Sequence, residues 1–440
     1  MTESTPSLKV AIVGSGSVQF MEELADFASL ADIGEYELAC HDTDSHRLDI
    51  SVGVAQRVAA ATNTPCRVTA HRERKGAVDG ALATVVSVGV GMQESIKPDF
   101  EIPARYGLRQ TVADTLGVGA VIRILRTAPA LAEIARDVVD YGASPLVLNV
   151  TNPMAMVCMA LDRMVPDAQT IGLCHSAWQT ASELADRLDV PIAELDYAAA
   201  GVNHQAWFQR LSHNGIDLYP RLREMARTDV EWSRTVRADL LRRLGYFPTE
   251  SSKHGAEYVA WYLHRDDEIA RFGLPVNPYD QRKSDNVEWL GEAEAVAAGL
   301  VNIPVEELPS GEYAPRIVRS LVTGVADQIH VNVPNRQGLV AELPEWGVVE
   351  VPATCDGDGI HPIAAEPLAP QCAALNRRYL EVCDLAVRAV VEGDREHVHH
   401  AVMLDPNSSA TLSLDQMASM VDELLDAHQD AGRLPVGLCR

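Results

Sequence analysis

The sequence has few basic residues for its length. Its 440 residues include 37 Lys and Arg against 62 Asp and Glu, so the formal net charge is −25. Proteins bind nucleic acids and anionic membranes through clusters of cationic side chains, and no dense run of Lys or Arg occurs along this chain. The composition therefore argues against nucleic acid and membrane as partners. Single basic residues in a pocket remain able to bind an anionic ligand.

The sequence also has no CxxC pair and no long apolar run. Its 8 Cys are scattered, which in a chain of this length is typical of reduced thiols rather than of a disulfide framework. The polar N-terminus leads straight into a predicted strand without a secretory signal. No segment approaches the roughly 18 uninterrupted apolar residues of a membrane helix. We therefore expect a cytoplasmic protein.

Alternating strand and helix patterns indicate an α/β fold. Short apolar runs predict buried strands, and apolar residues at helical spacing predict helices between them. The predicted strands cover 10–13, 36–40, 84–88 and 145–150, and the predicted helices cover 20–30, 45–61 and 130–141. Strands that alternate with helices in this way predict a Rossmann-type, doubly wound parallel sheet.

The pattern becomes less regular after residue 195. Ser413 and Gln416 form a capping box before a last predicted helix. A chain of this length exceeds one simple core. We therefore expect a first domain over 1–195 and a second, α+β domain over 196–440 that packs directly on it. Helical stretches in the second domain are predicted around 220–245, 254–264 and 365–395.

The first predicted strand is followed by Gly14-Ser15-Gly16-Ser17 and a helix. A Gly-rich turn at a helix N-terminus offers backbone N–H groups and the helix dipole to a pyrophosphate. The third Gly of the usual fingerprint is absent, with Gln19 in its place, and a lone GxG often marks only a tight turn. However, Asp42 ends the second strand at the spacing expected for a carboxylate that binds the ribose of NAD. We therefore predict an NAD site, although His41 and Arg47 nearby leave the 2′-phosphorylated cofactor as an alternative.

Cys174 and His204 are the most informative pair of residues in the chain. A thiolate and an imidazole 30 residues apart, each near the end of a predicted strand, can share one divalent metal ion. Two protein ligands leave coordination positions open for substrate oxygens, as in a catalytic rather than a closed structural site. Taken alone, a Cys is more often buried packing and a His a satisfied polar residue. The metal prediction therefore depends on the nucleotide motif that precedes the pair.

Together these motifs resemble those of glycoside hydrolase family 4 and of the closely related NAD-dependent sulfoquinovosidase family. The matching segments run along nearly the whole chain. They include Gly14-Ser15-Gly16-Ser17 with Phe20, Ile102-Pro103, Asp114-Thr115, Thr151-Asn152-Pro153-Met154, the Cys174 and His204 segments, Pro248-Thr249-Glu250, Ser310-Gly311-Glu312-Tyr313, Asn332-Val333-Pro334-Asn335 and Val349-Glu350-Val351-Pro352. The resemblance implies a fold related to lactate and malate dehydrogenases, with glycosidase chemistry outside the usual two-carboxylate scheme.

The resemblance implies hydrolysis of a glycoside with NAD and a divalent metal as cofactors. The sugar is transiently oxidised at C3, the C2 proton is removed, the aglycone leaves by elimination, water adds at C1 and the ketone is reduced again. Cys174 and His204 match the metal ligands, and Mn²⁺ is the implied ion, although a thiolate is an unusual partner for it. The metal would stabilise the enolate-like charge as a Lewis acid.

The resemblance also implies roles for individual side chains. Tyr258 matches the C2 base of some members, and a nearby divalent cation can lower the pKa of such a phenol. His175 is implied to protonate the leaving oxygen or to hold a sugar hydroxyl, and Asp114 to give polar support. We expect the cofactor to contact Gly14, Gly16, Ser17, Phe20, Asp42 and Asn149, and the substrate to contact Asn152, His175, Asn203 and Lys253.

The segment after Cys174 bears on the choice of sugar. Members that act on 6-phospho-sugars usually carry Asp or Asn there, whereas His175-Ser176 resembles members that act on non-phosphorylated α-galactosides, α-glucosides and α-glucuronides. Ala177-Trp178-Gln179, Gln205 and Ala113 depart from the α-galactosidase group, and Lys253 stands where an acidic residue is common. We expect a neutral α-hexopyranoside. A sulfoquinovoside or an α-glucuronide is the alternative if Lys253 binds an anionic substituent at C6.

Other functions share the same cofactor site. An NAD-dependent sugar dehydrogenase would release an oxidised product with NADH, whereas a redox glycosidase recycles its cofactor. Dehydrogenases of the lactate and malate type need a catalytic His with a carboxylate partner and an Arg clamp, not a Cys/His metal pair. An inactive NAD-binding scaffold would not need Cys174, His204 and Asn152. The resemblance further implies a homodimer or a homotetramer.

Overall fold

One continuous sheet runs through the structure. The computed structural model describes residues 8–17, 20–303, 308 and 310–439. Its strands are β1 (Leu8–Val13), β2 (Tyr36–His41), β3 (Cys66–His71), β4 (Ala83–Val86), β5 (Leu146–Asn149), β6 (Gln169–Gly172), β7 (Leu195–Val202), β8 (Gln205–His213), β9 (Ile216–Asp217), β10 (Asp327–Pro334), β11 (Val348–Asp356) and β12 (Gly359–Pro362). They form a 12-stranded sheet in the order β3-β2-β1-β4-β5-β6-β10-β11-β7-β8-β9, in which β12 pairs with β11.

The first six strands form the parallel part of the sheet, in the doubly wound order of dinucleotide-binding folds. β1 pairs in parallel with β2 on one side and with β4 on the other. The strand order reverses between β1 and β4, and ligands of such sheets bind outside the carboxyl ends of the strands at this switch point. The predicted fold class is therefore confirmed, and the Gly-rich loop after β1 lies at the switch point.

Antiparallel strands extend the sheet beyond β6. Asn332 of β10 is aligned with Gly172 of β6, and Glu350 of β11 is aligned with Asn332 and with Gly201 of β7. These four residues therefore stand at one level across neighbouring strands. Gly172 and Gly201 come shortly before the two predicted metal ligands in the sequence, so this pairing brings both ligand segments to one part of the sheet.

Helices cover most of the remaining described residues, and none of these helices is long and apolar enough to cross a membrane. β4 and β5 are buried at every residue, as expected for parallel strands with helices on both faces. The helices are α1 (Met21–Ala28), α2 (Ser45–Thr62), α3 (Arg74–Val78), α4 (Met92–Arg105), α5 (Val118–Tyr141), α6 (Met154–Met164), α7 (Ser176–Arg187), α8 (Tyr219–Thr228), α9 (Val236–Leu244), α10 (Ser252–Glu257), α11 (Asp266–Phe272), α12 (Tyr279–Ala297), α13 (Tyr313–Thr323), α14 (Pro370–Glu392), α15 (Glu396–Leu404), α16 (Pro406–Thr411) and α17 (Leu414–Asp430).

The helix predicted around 254–264 is wrong in its length. α10 ends at Glu257, and Tyr258 is its C-cap. Val259, Tyr262 and Leu263 have the i, i+3, i+4 spacing of a helix, but they pack with α9 in a separate apolar cluster without continuing the helix. The spacing of apolar residues alone therefore predicted a helix that extends beyond the end of α10.

Two further predictions about the C-terminal half can be compared with the structure. The stretch around 220–245 is two helices, since the side chain of Thr235 accepts a hydrogen bond from the N–H of Ala238 and starts α9. The capping box of Ser413 and Gln416 is confirmed, with both of its hydrogen bonds present at the start of α17. In this half of the chain, capping residues thus marked the starts of α9 and α17.

Candidate active site

Two glycines shape the loop that follows β1. Gly14 has a φ of +85°, and a Cβ there would lie 2.0 Å from the carbonyl oxygen of Ser87. A Cβ on Gly16 would lie 2.4 Å from the Cβ of Arg47 and 2.9 Å from Asp42 Oδ2. The loop therefore leaves no room for side chains, as expected of a turn whose backbone approaches a pyrophosphate.

The Asp42 carboxylate lies against this loop at the end of β2. Its Oδ2 accepts a hydrogen bond from the Gly16 N–H at 2.9 Å, and its Oδ1 accepts one from the Asp44 N–H at 2.9 Å. Arg47 donates to the carbonyl oxygen of Gly16 at 3.1 Å. These contacts hold a carboxylate where ribose hydroxyls bind in dinucleotide-binding sheets. The residues present therefore fit NAD.

Two other predicted cofactor contacts serve the loop itself. Ser17 donates its backbone N–H to the carbonyl oxygen of Gly14 at 3.1 Å. Phe20 is buried and belongs to the main apolar core, so it acts on the loop through packing. Gln19 lies outside the described residues. Direct contact of Ser17 or Phe20 with the cofactor stays a prediction.

Cys174, His204 and Glu250 form a cluster of candidate metal ligands. Their donor atoms all lie within 4.8 Å of one another. Cys174 Sγ is 3.1 Å from His204 Nε2, and Glu250 Oε2 is 3.6 Å from the same nitrogen. A sulfur, an imidazole nitrogen and a carboxylate oxygen that converge in this way can bind a divalent ion and leave positions open. The structure brings the two predicted ligands together and adds Glu250.

Strained turns position two of these ligands. His204 has a φ of +61° as the second residue of the two-residue turn between β7 and β8. Glu250 has a φ of +70° just before α10. Residues with a Cβ rarely adopt this left-handed conformation, and such strain is concentrated at functional sites. Cys174 is the second residue after the end of β6.

The charges around the cluster suit a cation. Burial raises the pKa of Cys174 to about 12, although His175 opposes this rise. Burial also favours the neutral form of Glu250, but His204 and His254 lower its pKa to about 2. A bound divalent cation stabilises a thiolate directly. The cluster therefore offers an ionised carboxylate and a thiol that a metal would deprotonate.

The phenol of Tyr258 lies beside the metal cluster. Its oxygen is 2.6 Å from His254 Nδ1 and 3.3 Å from His204 Nδ1. Burial raises the pKa of Tyr258 well above its usual value. Burial and His204 lower the pKa of His254 to about 4. The residue predicted as the base thus contacts a neutral imidazole that can accept the phenolic proton.

Asp114 supports this network through Thr115. Its Oδ1 accepts a hydrogen bond from Thr115 Oγ1 at 2.8 Å, and the same hydroxyl is 3.0 Å from His204 Nδ1. Burial alone would raise the pKa of Asp114, but the charges of His254 and Arg282 lower it to about 2. An ionised carboxylate therefore orients the imidazole of a metal ligand through one hydroxyl group.

The Glu257 carboxylate holds the loop that carries Asp114. It accepts hydrogen bonds from the backbone N–H groups of Thr111 at 2.6 Å, Val112 at 3.0 Å and Ala113 at 3.1 Å. Burial raises the pKa of Glu257 to about 7, although these N–H groups oppose the rise. Glu257 therefore supports the site from beneath the loop.

His175 lies at the N-terminus of α7, next to Cys174. Its Nδ1 is 2.7 Å from Glu312 Oε1, and this hydrogen bond raises the pKa of His175 to about 9, although burial opposes the rise. The His175 side chain is 48% exposed. The pair therefore presents a cationic imidazole at the rim of the metal cluster, which suits either predicted role of His175.

The predicted Asn residues differ in their surroundings. Asn149 is fully buried, donates to the carbonyl oxygen of Thr151 at 3.0 Å and accepts from its N–H at 3.2 Å. Asn152 Oδ1 accepts from the Met154 N–H at 3.2 Å. Asn203 is fully buried, and neither of its side-chain polar atoms has a hydrogen-bond partner among the described residues. A buried amide without protein partners is expected to bind a water molecule or a ligand. Cofactor contact by Asn149 and substrate contact by Asn152 and Asn203 stay predictions.

Lys253 is exposed on α10, and its carbonyl oxygen accepts a hydrogen bond from Thr111 Oγ1 at 2.7 Å. The next residue, His254, is the one that reaches Tyr258 and Glu250. In the part of the chain that the structure describes, the Lys253 ammonium takes no part in the network around the metal cluster. Its contact with substrate stays a prediction.

Sequence reasoning missed Glu250, His254 and Glu312 as functional residues. Glu250, His254 and Tyr258 recur every fourth residue, which is the spacing of one helix face, and this pattern could have indicated a shared site. Glu312 comes from the segment before α13, and Arg282 from α12. No local pattern connects these two residues to the metal pair.

Family models match both parts of the chain. The model of the family 4 glycosyl hydrolases matches residues 9–190, and that of the family 4 glycosyl hydrolase C-terminal domain matches residues 199–408. The chain belongs to glycosyl hydrolase family 4. The resemblance seen in the sequence is thereby confirmed, as is the prediction of an enzyme that hydrolyses glycosidic bonds.

Relatives within family 4 cover almost the whole chain. An α-galactosidase of Bacillus subtilis is 34% identical over 96% of this chain and 98% of its own length. An α-galactosidase of Rhizobium meliloti is 31% identical over 96% of this chain and 88% of its own. An α-galacturonidase of Bacillus subtilis is 28% identical over 91% of this chain and 93% of its own.

Solved structures have the same fold over nearly the full length. A putative glucosidase of Bacillus subtilis aligns with a TM-score of 0.87 and 25% identity, over 95% of this chain and 99% of its own. A 6-phospho-α-glucosidase from gut microorganisms, in complex with NAD and Mn²⁺, aligns with a TM-score of 0.81 and 18% identity, over 98% of this chain and 99% of its own. At 18% identity this neighbour shows the fold alone, so NAD and a divalent metal as cofactors of this chain stay a prediction.

Proposed function

We propose that this protein is an NAD- and Mn²⁺-dependent α-galactosidase that cleaves a non-phosphorylated α-galactoside. The observation that carries the proposal is the convergence of the Cys174, His204 and Glu250 donor atoms within 4.8 Å. The Tyr258 phenol is 3.3 Å from His204 Nδ1, so a metal-ligand cluster and a proton-transfer network lie side by side. Such a pair of parts suits oxidation and elimination on a sugar ring, because a metal ion can polarise the sugar oxygens and a base can remove a proton.

The relatives support a sugar of galacto configuration. Galactose and galacturonic acid share the configuration at C2, C3 and C4 and differ only at C6. The two α-galactosidases are 34% and 31% identical to this chain, and the α-galacturonidases are 25% to 28% identical. We therefore infer the configuration of the sugar ring from what these relatives share. The charge of the substituent at C6 is inferred from the charged residues near the site in this chain.

The charges near the site favour a neutral group at C6. A carboxylate or sulfonate would need a cation that is not already paired. Arg282 lies 3.9 Å from Asp114 Oδ2 and donates to the carbonyl oxygen of Val112, and the charge of Asp114 also acts on half-buried Arg123. Lys253 is exposed. A hydroxymethyl group needs no counter-ion and suits this arrangement better than an acid.

Separate parts of the chain hold the two cofactors. When bound, NAD⁺ would take hydride from the sugar C3 and the divalent ion would polarise the neighbouring oxygens, which acidifies the proton at C2. The loop of Gly14 and Gly16, with Asp42, would hold the dinucleotide. Cys174, His204 and Glu250 would hold the ion.

Proton transfer at C2 is assigned to Tyr258. Its phenol can pass its own proton to His254 Nδ1, 2.6 Å away, and then take the C2 proton. Carboxylates on both sides offset part of the cost that burial and His204 impose on the resulting imidazolium, since Asp114 Oδ1 and Glu250 Oε1 lie 3.9 Å and 3.8 Å from the His254 ring nitrogens. A divalent cation nearby also lowers the pKa that burial raises in Tyr258.

The remaining steps need a proton donor and a water molecule. His175 lies at the rim of the cluster with an exposed imidazole, and we assign it to the aglycone oxygen. Loss of the aglycone leaves a C1–C2 double bond conjugated to the C3 ketone, and water adds at C1. Reduction of the ketone at C3 then restores the sugar and the oxidised cofactor.

The test is hydrolysis of a panel of 4-nitrophenyl α-glycosides by the purified protein with NAD⁺ and Mn²⁺. The panel contains the galactoside, glucoside, galacturonide, glucuronide and sulfoquinovoside, and each cofactor is omitted in turn. We expect the galactoside to be cleaved fastest, only with both cofactors present, and without accumulation of NADH.

Each contrary outcome has its own meaning. Faster cleavage of an anionic sugar would overturn the assignment of a neutral C6 group and favour a role for Lys253 in substrate binding. NADH accumulation without release of nitrophenol would identify a sugar dehydrogenase. Cleavage at an equal rate without NAD⁺ would overturn the redox mechanism, provided that the protein was first freed of bound dinucleotide.

A further inference from the structure

Three consecutive residues, Ser310, Gly311 and Glu312, connect α1, the helix after the Gly-rich loop, with His175, the neighbour of Cys174. Each of them has a fixed partner on another element, and we call them the 310–312 strap. Ser310 donates its backbone N–H and its hydroxyl to the two oxygens of Asp26, at 2.8 Å and 2.7 Å. Asp26 is buried on α1, the helix that follows the Gly-rich loop. The strap therefore begins on the cofactor side of the site.

Gly311 packs against the indole of Trp178. It has a φ of +94°, and a Cβ there would lie 2.8 Å from ring carbons of Trp178. Trp178 belongs to α7, three residues after His175. Only a residue without a side chain fits between this indole and the turn. This contact packs the strap closely against α7.

Glu312 is the last residue of the strap and the partner of His175. Its Oε1 is 2.7 Å from His175 Nδ1, and the Glu312 side chain is 21% exposed against 48% for His175. An imidazole with Nδ1 occupied by a carboxylate has only Nε2 free to act on a ligand. The strap thus leaves Nε2 as the nitrogen of His175 that is free to act on a ligand.

We propose that Glu312 is a positioning residue for departure of the aglycone, held in place by the 310–312 strap. It keeps His175 Nδ1–H bonded to its carboxylate and leaves Nε2–H directed at the glycosidic oxygen. As the C1–O bond breaks, its electron pair goes to the aglycone oxygen, which takes the Nε2 proton. The imidazole becomes neutral and regains a proton from water. This inference rests on the proposed function, because it assigns a role within the same reaction.

A role in leaving-group protonation is separable from a role in holding the fold together. An aglycone that is a weak base, such as 4-nitrophenolate, leaves without help, whereas methanol needs a proton. General acid catalysis contributes about 10²- to 10⁴-fold where it is needed. Loss of Glu312 should therefore affect the two leaving groups unequally.

The experiment compares Glu312→Gln and Glu312→Ala with the wild-type protein on 4-nitrophenyl and methyl α-galactoside. We expect kcat on the methyl glycoside to fall about 100-fold and that on the nitrophenyl glycoside to fall less than about threefold. Exchange of the C2 proton in deuterated water should stay at the wild-type rate, since it precedes departure of the aglycone. Equal losses on both glycosides, or no loss on the methyl glycoside, would overturn the proposal.

Glu194→Gln is the matched control. Glu194, just before β7, forms a similar pair at 2.8 Å with His213 at the end of β8, and its loss should change neither rate. A crystal structure of Glu312→Ala gives a readout without activity, and we expect the His175 ring to leave its wild-type orientation. An unchanged ring would contradict the role of Glu312. Absence of cleavage of any sugar by the wild type would overturn the proposed function instead, and the crystal structure would still decide whether Glu312 holds His175.

Discussion

At the scale of single residues, the carboxylate of Glu250 adds a third candidate ligand to the Cys174 and His204 pair. It lies 3.6 Å from His204 Nε2, and its pKa is lowered to about 2 by His204 and His254 against the effect of burial. An ionised oxygen ligand suits Mn²⁺ better than a thiolate does. Glu250 therefore helps to explain how a site that contains Cys174 can hold a hard cation.

Replacement of Glu250 by Gln should weaken metal binding without unfolding the protein. The amide keeps the size of the side chain but removes its charge, so we expect the dissociation constant for Mn²⁺ to rise about 10- to 100-fold. Titration calorimetry with Mn²⁺ measures this directly, and the affinity for NAD⁺ should stay within about twofold of wild type.

Glu345→Gln is the control for this prediction, because Glu345 is exposed and is not one of the three residues whose donor atoms converge. Its Mn²⁺ affinity should equal that of the wild type. Unchanged Mn²⁺ binding by Glu250→Gln would remove Glu250 from the ligand set.

At the scale of elements, the sequence was most informative where a local pattern is sufficient. The strand, Gly-rich turn and helix over 10–30 needed no distant contact to be identified, and the capping box at Ser413 was equally local. By contrast, Glu312 meets His175 across 137 positions of the chain. Glu250 reaches the metal cluster through a turn with positive φ, which hydrophobic patterns do not indicate.

The Gly-rich loop gives a prediction about cofactor binding. A Cβ on Gly16 would lie 2.4 Å from the Cβ of Arg47 and 2.9 Å from Asp42 Oδ2. Gly16→Ala should therefore displace the carboxylate that is predicted to bind the ribose, and we expect the dissociation constant for NAD⁺ to rise at least about tenfold, which is about 1.4 kcal/mol. Fluorescence titration with the dinucleotide is the measurement.

Gly291→Ala is the matched control for this substitution. Gly291 lies within α12, and a Cβ there meets nothing within 4 Å in the described structure. We expect unchanged NAD⁺ affinity and a gain in stability of about 0.5–1 kcal/mol from the better helix propensity of Ala. Equal NAD⁺ binding by both variants would contradict the assigned role of Gly16.

At the scale of the whole molecule, the active site depends on a sheet that crosses the predicted division at residue 195. Parallel strands carry the nucleotide loop and Cys174, and the β7–β8 hairpin carries His204. The boundary at residue 195 stays a prediction, because one sheet continues through it. A homodimer or homotetramer also stays a prediction, to be checked by the mass of the protein in solution.

A buried ionic network connects the last long helix to the rest of the molecule. Asp99 of α4 accepts one hydrogen bond from Arg126 of α5 at 2.6 Å, and its other oxygen is 2.8 Å from His428 Nε2 of α17. All three side chains are at most 2% exposed. Removal of one partner from such a network leaves a buried charge without compensation.

Asp99→Ala should therefore destabilise the protein by about 3–5 kcal/mol. Asp196→Ala is the control, because Asp196 pairs with Arg210 at 3.0 Å in an exposed position, and its loss should cost less than about 1 kcal/mol. Urea denaturation monitored by circular dichroism compares the two. Equal stability of the two variants would show that α17 is held by apolar packing alone.

The central claim is that the glycosidic bond breaks after removal of the C2 proton, with Tyr258 as the base. The most direct measurement is hydrolysis of 4-nitrophenyl α-galactoside in deuterated water with NAD⁺ and Mn²⁺, followed by mass spectrometry and proton NMR of the released sugar. We predict one deuterium at C2 of the galactose from the wild-type protein. We also predict loss of at least about 100-fold in the rate of incorporation for Tyr258→Phe. Galactose released with hydrogen retained at C2 would contradict the account.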